Sequence, residues 1–436
     1  MLSKRLFICF LPINMYITYI LVTLILYIFG PWNYANDKQI SVISFIIVYL
    51  FVMYLSFYIG IKSNYLRKVK TSSDSEIDKR IIQIIFLGLL SISLVLAVSI
   101  IEKGFNINDN NIFSTMAIAY TNKEYSNSFN LSAWIYNYTY FFIMSSICIG
   151  MFFIRKLKKI YKIYLTLTIL MYFIYNFIYI GNQKAIGDFF IYLLSIVLIK
   201  IVKTKTKRQF ISYLISILTL AISSLYIFPT ILISRMKYWG VYYSSVGGSA
   251  FLDINNYMLN AFSNYETKIG IGTFIFYLSS GYYGLGLSLN LPFKWSFGYG
   301  NSFEIKSIMN RIFPMDDTII GSYPVRMQNY YGWDAYANWH TIFPWLASDF
   351  TFFGSVLILA IVMYLYSIAW INILKNKHWI NILFFTHLNV MWIYTIANNQ
   401  ILLTRYSLIY SIIILVIWLK KRNWQGDELC SESTST

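Results

Sequence analysis

Charged residues are scarce in this chain. Asp, Glu, Lys and Arg make up 12% of its 436 residues, against roughly 25% in soluble proteins. This scarcity excludes a water-facing globular protein of the same size. The apolar residues, which make up 58% of the chain, fall in runs of about 20 residues, the length that a helix needs to cross a bilayer. The sequence therefore predicts an all-α polytopic membrane protein. An outer-membrane barrel would instead show alternating segments of about ten residues.

Cysteine and histidine are also rare, with three of each. None of the cysteines falls in a predicted outer loop, so we expect no disulfide framework. The sequence also lacks a Walker loop, a GxSxG motif and an HExxH motif, which are signatures of several soluble enzyme classes. We therefore expect no cofactor and no bound metal.

Ten apolar runs are long enough for membrane helices. They cover residues 6–29, 40–61, 81–101, 133–154, 160–180, 187–202, 210–233, 351–374, 379–397 and 401–419. An even number of crossings places both termini on the same side. An alternative with twelve spans stays open, in which residues 270–291 and a segment near 341–358 cross as a pair.

The distribution of charge indicates which side of the membrane holds the two termini. One set of connections carries 23 basic and six acidic residues, whereas the other set carries 12 of each. The whole net charge of +17 therefore lies on one side, which the positive-inside rule assigns to the cytoplasm. Both termini are expected there, and the basic charge does not require a nucleic-acid partner.

The spans divide the chain into four segments. These are a bundle of seven helices (1–233), a large outer loop (234–350), three further helices (351–420) and a cytoplasmic tail (421–436). The loop has seven basic and seven acidic residues, 13 tyrosines and five tryptophans. A disordered linker would be poor in aromatic residues, and long ordered loops usually carry function.

Residues 270–291 of this loop are apolar enough to enter the membrane. A single extra crossing would reverse the orientation of the basic C-terminal connections, so we expect a re-entrant or interfacial segment. Gly281, Gly284 and Gly286 are expected to break a straight helix there. Broken backbone at membrane depth is tolerated only against protein or a wet cavity.

Several cations of the outer half suit a pyrophosphate. A guanidinium group makes two parallel charge-assisted hydrogen bonds to phosphate oxygens, whereas lysine offers one point charge. The candidates are Arg235, Arg311, Arg326, Arg405 and Lys184, the last in the turn GNQKAIGD. For Arg405, near the outer end of the last span, the alternative is a side chain that snorkels to the interface.

His340 is the candidate general base, because it lies in the outer loop and imidazole can take a proton from a sugar hydroxyl near neutral pH. Asp334 and Asp349 flank it, and either carboxylate could orient the ring or be the base itself. Asp334 is also a candidate to bind substrate.

Aromatic residues near this histidine suit contacts with sugar rings. The alternative is a belt of aromatic residues at the membrane interface. The candidates are Tyr282, Tyr283, Trp295, Tyr330, Tyr331, Trp333, Tyr336 and Trp339.

Two tracts of the loop resemble the O-antigen polymerases, the Wzy-type oligosaccharide repeat-unit polymerases of bacterial envelopes. They are YLSSGYYGLGLSLNLPFKWSFGYGNS (277–302) and SYPVRMQNYYGWDAYANWHTIFPWLASDFTFFG (322–354), together about a seventh of the chain. The resemblance implies that Arg326 binds a lipid pyrophosphate, that His340 activates the acceptor and that Arg235 is a further loop arginine of the same kind. Lys184 stands where related enzymes often have arginine, and lysine cannot make the bidentate contact.

The resemblance implies a metal-independent membrane glycosyltransferase. It would join undecaprenyl-diphosphate-linked oligosaccharide units into O-antigen or capsular polysaccharide on the periplasmic face of the bacterial inner membrane. The expected partners are that lipid-linked substrate, membrane lipid, a chain-length regulator and a flippase. Ligases of lipopolysaccharide biosynthesis share the layout and stay an alternative. A flippase for the lipid-linked unit is an alternative of a different class, although transporters usually show internal repeats.

Overall fold

The structure is a computed structural model that describes residues 2–35, 38–65, 79–104, 112–125, 130–204, 206–240, 244–246, 249–301, 303–312, 321–335, 337–376 and 379–421. These residues form helices almost throughout. The helices are α1 (Leu2–Phe29), α2 (Gln39–Tyr65), α3 (Lys79–Lys103), α4 (Ile112–Tyr125), α5 (Leu131–Phe153), α6 (Lys159–Ile174), α7 (Lys184–Val202), α8 (Lys207–Trp239), α9 (Tyr265–Ser288), α10 (Phe303–Ile312), α11 (Tyr323–Tyr331), α12 (Ile342–Asn376), α13 (Trp379–Ile393) and α14 (Arg405–Lys421).

Short irregular elements complete the described chain. A π-helical turn (Tyr175–Ile180) extends α6, and a 3₁₀ turn (Tyr394–Ile396) follows α13. Strands β1 (Trp32–Tyr34), β2 (Ser245–Val246) and β3 (Ala250–Leu252) form a small antiparallel sheet in the order β1-β3-β2. Trp32 pairs with Leu252 in this sheet, which joins the end of α1 to the predicted outer loop.

Nine helices in the described part are long and apolar enough to cross a membrane, namely α1, α2, α3, α5, α6 with its π-helical turn, α7, α8, α12 and α13. They agree with nine of the ten predicted spans. The tenth, 401–419, corresponds to α14, whose 17 residues fall short of the roughly 20 that a crossing usually needs. The prediction of an all-α multi-pass membrane protein is confirmed at this level, while the side of the membrane that holds each terminus stays a prediction.

Helix α12 has a break where the eighth span was predicted to begin. Thr351 is non-helical inside it, with φ 62° and ψ 168°. The part before the break is buried from Ile342 to Asp349, whereas Phe353 after it is 75% exposed. The first part therefore packs inside the protein, and the apolar run after Thr351 is the part that suits lipid.

Helix α9 shows that one expectation was wrong. It runs without interruption from Tyr265 to Ser288, so its glycines do not break the backbone. They permit close packing instead, because a Cβ at Gly281 would lie 1.9 Å from the carbonyl oxygen of Ile396. Small residues let backbones approach closely in membrane proteins. The re-entrant or interfacial placement of this segment stays a prediction.

The chain forms two compact units, each built from separate stretches. The first takes its described residues from Met1–Lys62, Leu225–Ser367 and Met391–Arg405. The second takes its described residues from Ser63–Ser224, Ile368–Val390 and Tyr406–Thr436. The predicted segments 1–233, 234–350, 351–420 and 421–436 follow chain order and membrane crossing, so they divide the chain on a different criterion. Apart from its first residue, the predicted tail lies outside the described residues.

The predicted topology can be tested with single cysteines. Ser263 lies in the exposed turn before α9, on the predicted outer side, and Thr206 is exposed at the predicted cytoplasmic side. With the native cysteines replaced, we expect a membrane-impermeant thiol reagent to label Ser263→Cys in intact cells and to label Thr206→Cys only after lysis. The reverse pattern would overturn the assignment of sides.

Candidate functional site

Arg326 is a cation buried in the first compact unit. It lies on α11 and is 8% exposed. Its Nη1 donates to the carbonyl oxygen of Pro292 at 2.8 Å, and its guanidinium carbon lies 5.4 Å from the centroid of the Tyr323 ring. Burial raises the pKa of the Tyr323 hydroxyl, and the charge of Arg326 offsets part of that rise.

Within the part of the chain that the structure describes, no carboxylate forms an ion pair with Arg326. A buried charge without a counter-charge is costly, and one carbonyl oxygen does not neutralise it. The arrangement therefore suits a bound anion, which would supply the missing charge and accept the remaining guanidinium hydrogen bonds.

The first turn of α11 offers a second polar group. Ser322 occupies the N-cap position and is 1% exposed, and its Oγ has no hydrogen-bond partner among the described residues. The backbone N–H of Arg326 donates to the Ser322 carbonyl oxygen at 3.0 Å, which closes this turn. Helix N-termini carry partial positive charge, so Ser322 and Arg326 share a turn that favours anions.

Asp349 holds the loop that follows α9. Its Oδ1 accepts hydrogen bonds from Ser296 Oγ at 2.6 Å and from the Gly298 N–H at 2.8 Å, and its Oδ2 accepts one from Asn301 Nδ2. The carboxylate is 8% exposed. From the sequence, Asp349 could orient the imidazole or act as the base, but the structure commits both of its oxygens to this loop.

Ser348 connects the same loop to α11. Its carbonyl oxygen accepts from the Ser296 N–H at 3.0 Å, and its Oγ accepts from the Tyr323 N–H at 3.0 Å. Ser348 and Asp349 therefore hold the helix that carries Arg326. They also hold the loop that contains Pro292, whose carbonyl oxygen accepts a hydrogen bond from Arg326.

His340 is fully buried and organises the segment between α11 and α12. Its Nε2 faces the main-chain carbonyl oxygen of Asp334 at 3.2 Å. Its N–H donates to Asn398 Oδ1 at 3.0 Å, and its carbonyl oxygen accepts from the Asn398 N–H at 2.5 Å. Trp345 Nε1 donates to the same Asn398 oxygen at 2.9 Å. The ring is thus oriented by a backbone carbonyl group.

Burial lowers the pKa of His340 to about 4, although the nearby Asp334 acts in the opposite direction. The imidazole is therefore neutral at pH 7, with the proton on Nε2 if that nitrogen donates to Asp334. Its Nδ1 has no hydrogen-bond partner in the described part, and a Cβ at Gly284 would lie 3.3 Å from it. A base with so low a pKa is weak at neutral pH, so this environment suits a positioning role better than proton transfer.

The three main aromatic candidates are interior residues. Tyr282 and Tyr283 are 1% and 2% exposed, and Trp333 is 1% exposed. The Tyr282 hydroxyl pairs with Thr23 Oγ1 at 2.8 Å, and the Tyr283 and Trp333 rings meet edge to face at 4.9 Å. Other side chains cover these three rings, and their role in binding sugars stays a prediction. Trp295 and Tyr330 remain exposed, at 54% and 70%.

Two of the other candidate cations form ion pairs with carboxylates in the described part of the chain. Arg405 pairs with Glu304 at 2.5 Å, which supplies the partner that a cation near the last span needs. Lys184 pairs with Asp188 at 2.6 Å in the second unit. Arg235 is 6% exposed on α8. Arg311 belongs to α10, but its side chain lies outside the described residues.

Ser348 and Asn398 are among the contributors that were not identified from the sequence. Ser348 is one serine among many, and its pairing depends on long-range folding. Asn398 has φ +67°, and asparagine is enriched at such left-handed positions. The Asn-Asn pair after an apolar run was the signal that could have pointed to a turn there.

No protein-family model, no curated protein and no solved structure matches this chain.

Asn398 should contribute to stability through its backbone conformation and its side chain. Asn398→Ala places a residue without a side-chain acceptor at the left-handed position, at a cost of about 2–4 kcal/mol. Asn398→Gly tolerates the conformation and should lose about 1–2 kcal/mol for the missing hydrogen bonds. We expect thermal unfolding of the purified protein in detergent to rank wild type above glycine and glycine above alanine. Equal melting temperatures for the two variants would contradict this account.

His340 should make the protein sensitive to acid. The unfolded chain binds a proton near the ordinary histidine pKa of about 6.5, whereas the folded chain resists protonation until about pH 4. Stability is therefore lost as pH falls through this window, by up to about 3 kcal/mol. His340→Gln cannot take up a proton and should flatten the dependence of melting temperature between pH 7.5 and 4.5. Parallel profiles for wild type and variant would show that His340 titrates normally.

Proposed function

We propose that this protein is a membrane glycosyltransferase of the polysaccharide-polymerase type, acting on oligosaccharide units linked to polyprenyl diphosphate. The main support is Arg326, a guanidinium group that is 8% exposed and has no carboxylate partner in the described part of the chain. It lies on a multi-pass helical scaffold, where a substrate with a lipid tail is available. A diphosphate offers the anionic, forked geometry that arginine prefers.

The proposed reaction transfers a glycan from one lipid carrier to the next unit. A hydroxyl oxygen of the incoming unit attacks the anomeric carbon of the carrier-linked glycan. The bond between that carbon and the phosphate oxygen breaks, the polyprenyl diphosphate leaves with the bonding electrons, and the hydroxyl proton is released to water. Negative charge develops on the leaving oxygen, which is where a fixed cation contributes most.

Arg326 would stabilise that leaving charge, and the first turn of α11 would add partial positive charge beside it. Removing one preorganised contact of this kind typically costs about 10²–10³ in turnover. His340, buried and with a pKa of about 4, would contribute less by proton transfer. The proposal therefore relies on leaving-group stabilisation, with His340 holding the segment after α11.

The periplasmic location and the polymerase activity belong to this proposal. They rest on the charge distribution along the chain and on the resemblance of the outer-loop tracts. The same donor chemistry would serve a ligase, and a flippase would need an anion site without bond cleavage. The glycans that accumulate in cells without the protein distinguish these functions.

A deletion strain complemented with variants tests the proposal. Without the protein we expect lipid acceptors that carry single units. Arg326→Lys keeps the charge but loses the fork, so it should restore a polymer ladder about 100-fold more slowly, at normal protein abundance. Arg155→Lys, a matched change at an exposed position in the second unit, should restore the ladder fully.

A complete ladder with Arg326→Lys would contradict the role of the guanidinium group. Acceptors that carry no glycan in the deletion strain would identify a ligase. Units trapped on the cytoplasmic side would identify a flippase.

A further inference from the structure

The loop between α9 and α10 exposes aromatic rings, and its Pro292 carbonyl oxygen accepts a hydrogen bond from Arg326. Phe293, Trp295 and Phe297 are 47%, 54% and 59% exposed. The Trp295 and Phe297 ring centroids lie 4.5 Å apart, with 37° between the ring planes. We call these two residues the Trp295–Phe297 pair. Together they form one continuous apolar surface.

The backbone that presents this pair is unusual and firmly held. Phe297 has φ +52°, a left-handed conformation that is costly for a bulky residue. Ser296, which lies between Trp295 and Phe297 in the sequence, is fully buried. Its Oγ donates a hydrogen bond to Asp349 Oδ1 at 2.6 Å. The same Asp349 oxygen accepts a hydrogen bond from the N–H of Gly298, the residue after Phe297, at 2.8 Å. Such conformations persist where the surrounding structure fixes them, and they are common at ligand sites.

The loop that carries the pair also contacts Arg326. Arg326 Nη1 donates to the Pro292 carbonyl oxygen at 2.8 Å, three residues before Trp295. In a diphosphate bound at Arg326, the first sugar would be bonded directly to a phosphate oxygen. The sugars would therefore begin close to Pro292, at the start of this loop. Aromatic rings with a polar surround suit the apolar faces of sugar rings.

We propose that the Trp295–Phe297 pair binds the saccharide portion of the substrate whose diphosphate is bound at Arg326. This inference rests on the proposed function and assigns a separate role to a separate surface. Arg326 would recognise the part that all carriers share. The pair would recognise the sugars that differ between substrates.

The same rings could instead contact the membrane interface, where aromatic residues gather. Two observations favour a saccharide. Hydrocarbon and headgroups present no fixed surface, so a membrane contact gains little from a fixed angle between two rings. It also gives no reason to hold Phe297 in a costly conformation through a buried carboxylate. A sugar ring has a defined apolar face and benefits from both.

Calorimetric binding to the full-length protein in nanodiscs can separate the two surfaces. One probe is the free oligosaccharide released by mild acid from lipid-linked units of the deletion strain, and the other is inorganic pyrophosphate. Wild type should bind both. Trp295→Ala should weaken oligosaccharide binding about tenfold, as expected for loss of one aromatic contact, and leave pyrophosphate binding unchanged. Phe297→Leu, which keeps apolar bulk without the ring, should act in the same direction.

Matched variants control for the interpretation. Phe353→Ala removes another exposed ring, 75% exposed on α12, and should change neither binding constant. Arg326→Ala should abolish pyrophosphate binding and leave binding of the free oligosaccharide intact.

Oligosaccharide binding by Trp295→Ala and Phe297→Leu at wild-type strength would overturn the proposal. Quenching of Trp295 fluorescence by brominated lipids in that case would identify the pair as a membrane contact. Failure of wild type to bind the oligosaccharide would also overturn it. Binding of the oligosaccharide through the pair without any binding of pyrophosphate would support this inference and contradict the proposed function.

Discussion

The segment from Pro292 to Asp349 is organised around the buried charge of Arg326. Burying an unpaired guanidinium group is expensive, and the described residues offset that cost with one carbonyl oxygen and one aromatic ring. Three other cations in the described part of the chain form ion pairs with carboxylates. Arg405, Lys184 and Lys237 each reach a carboxylate at 2.5 to 2.6 Å. Unlike these three cations, Arg326 has no carboxylate partner in the described part of the chain, which supports the proposal that it binds an anion.

A rigid framework keeps that charge in place. Ser348 and Asp349 connect α11 to the loop that carries Pro292 and the Trp295–Phe297 pair. Asn398 holds His340 from the chain that follows α13, through hydrogen bonds in both directions. Gly281 and Gly284 let α9 approach these segments closely. The groups that bear on the anion site are therefore positioned by buried hydrogen bonds, which favours a preorganised site over one that forms on binding.

The sequence predicted the helical class and ten apolar spans, nine of which agree with helices long enough to cross a membrane, because hydrophobicity over about 20 residues is a local property. It also singled out Arg326 as a cation of the outer loop, which the structure places in a buried position. It was wrong about the glycines of α9, since a helix can pass through glycine where close packing replaces the missing side chain. The burial of Tyr282, Tyr283 and Trp333 could not be predicted, because exposure depends on neighbours distant in sequence. The pairing of Arg405 with Glu304, 101 residues away, could not be read from spacing for the same reason.

The proposed function depends on the guanidinium group of Arg326 being the binding site for a substrate diphosphate. An experimental structure with a bound polyprenyl diphosphate analogue is the decisive experiment. We expect phosphate oxygens within about 3 Å of the guanidinium nitrogens, with the analogue's sugar directed toward Trp295. A carboxylate of the chain itself paired with Arg326, and the diphosphate bound elsewhere, would contradict the proposal.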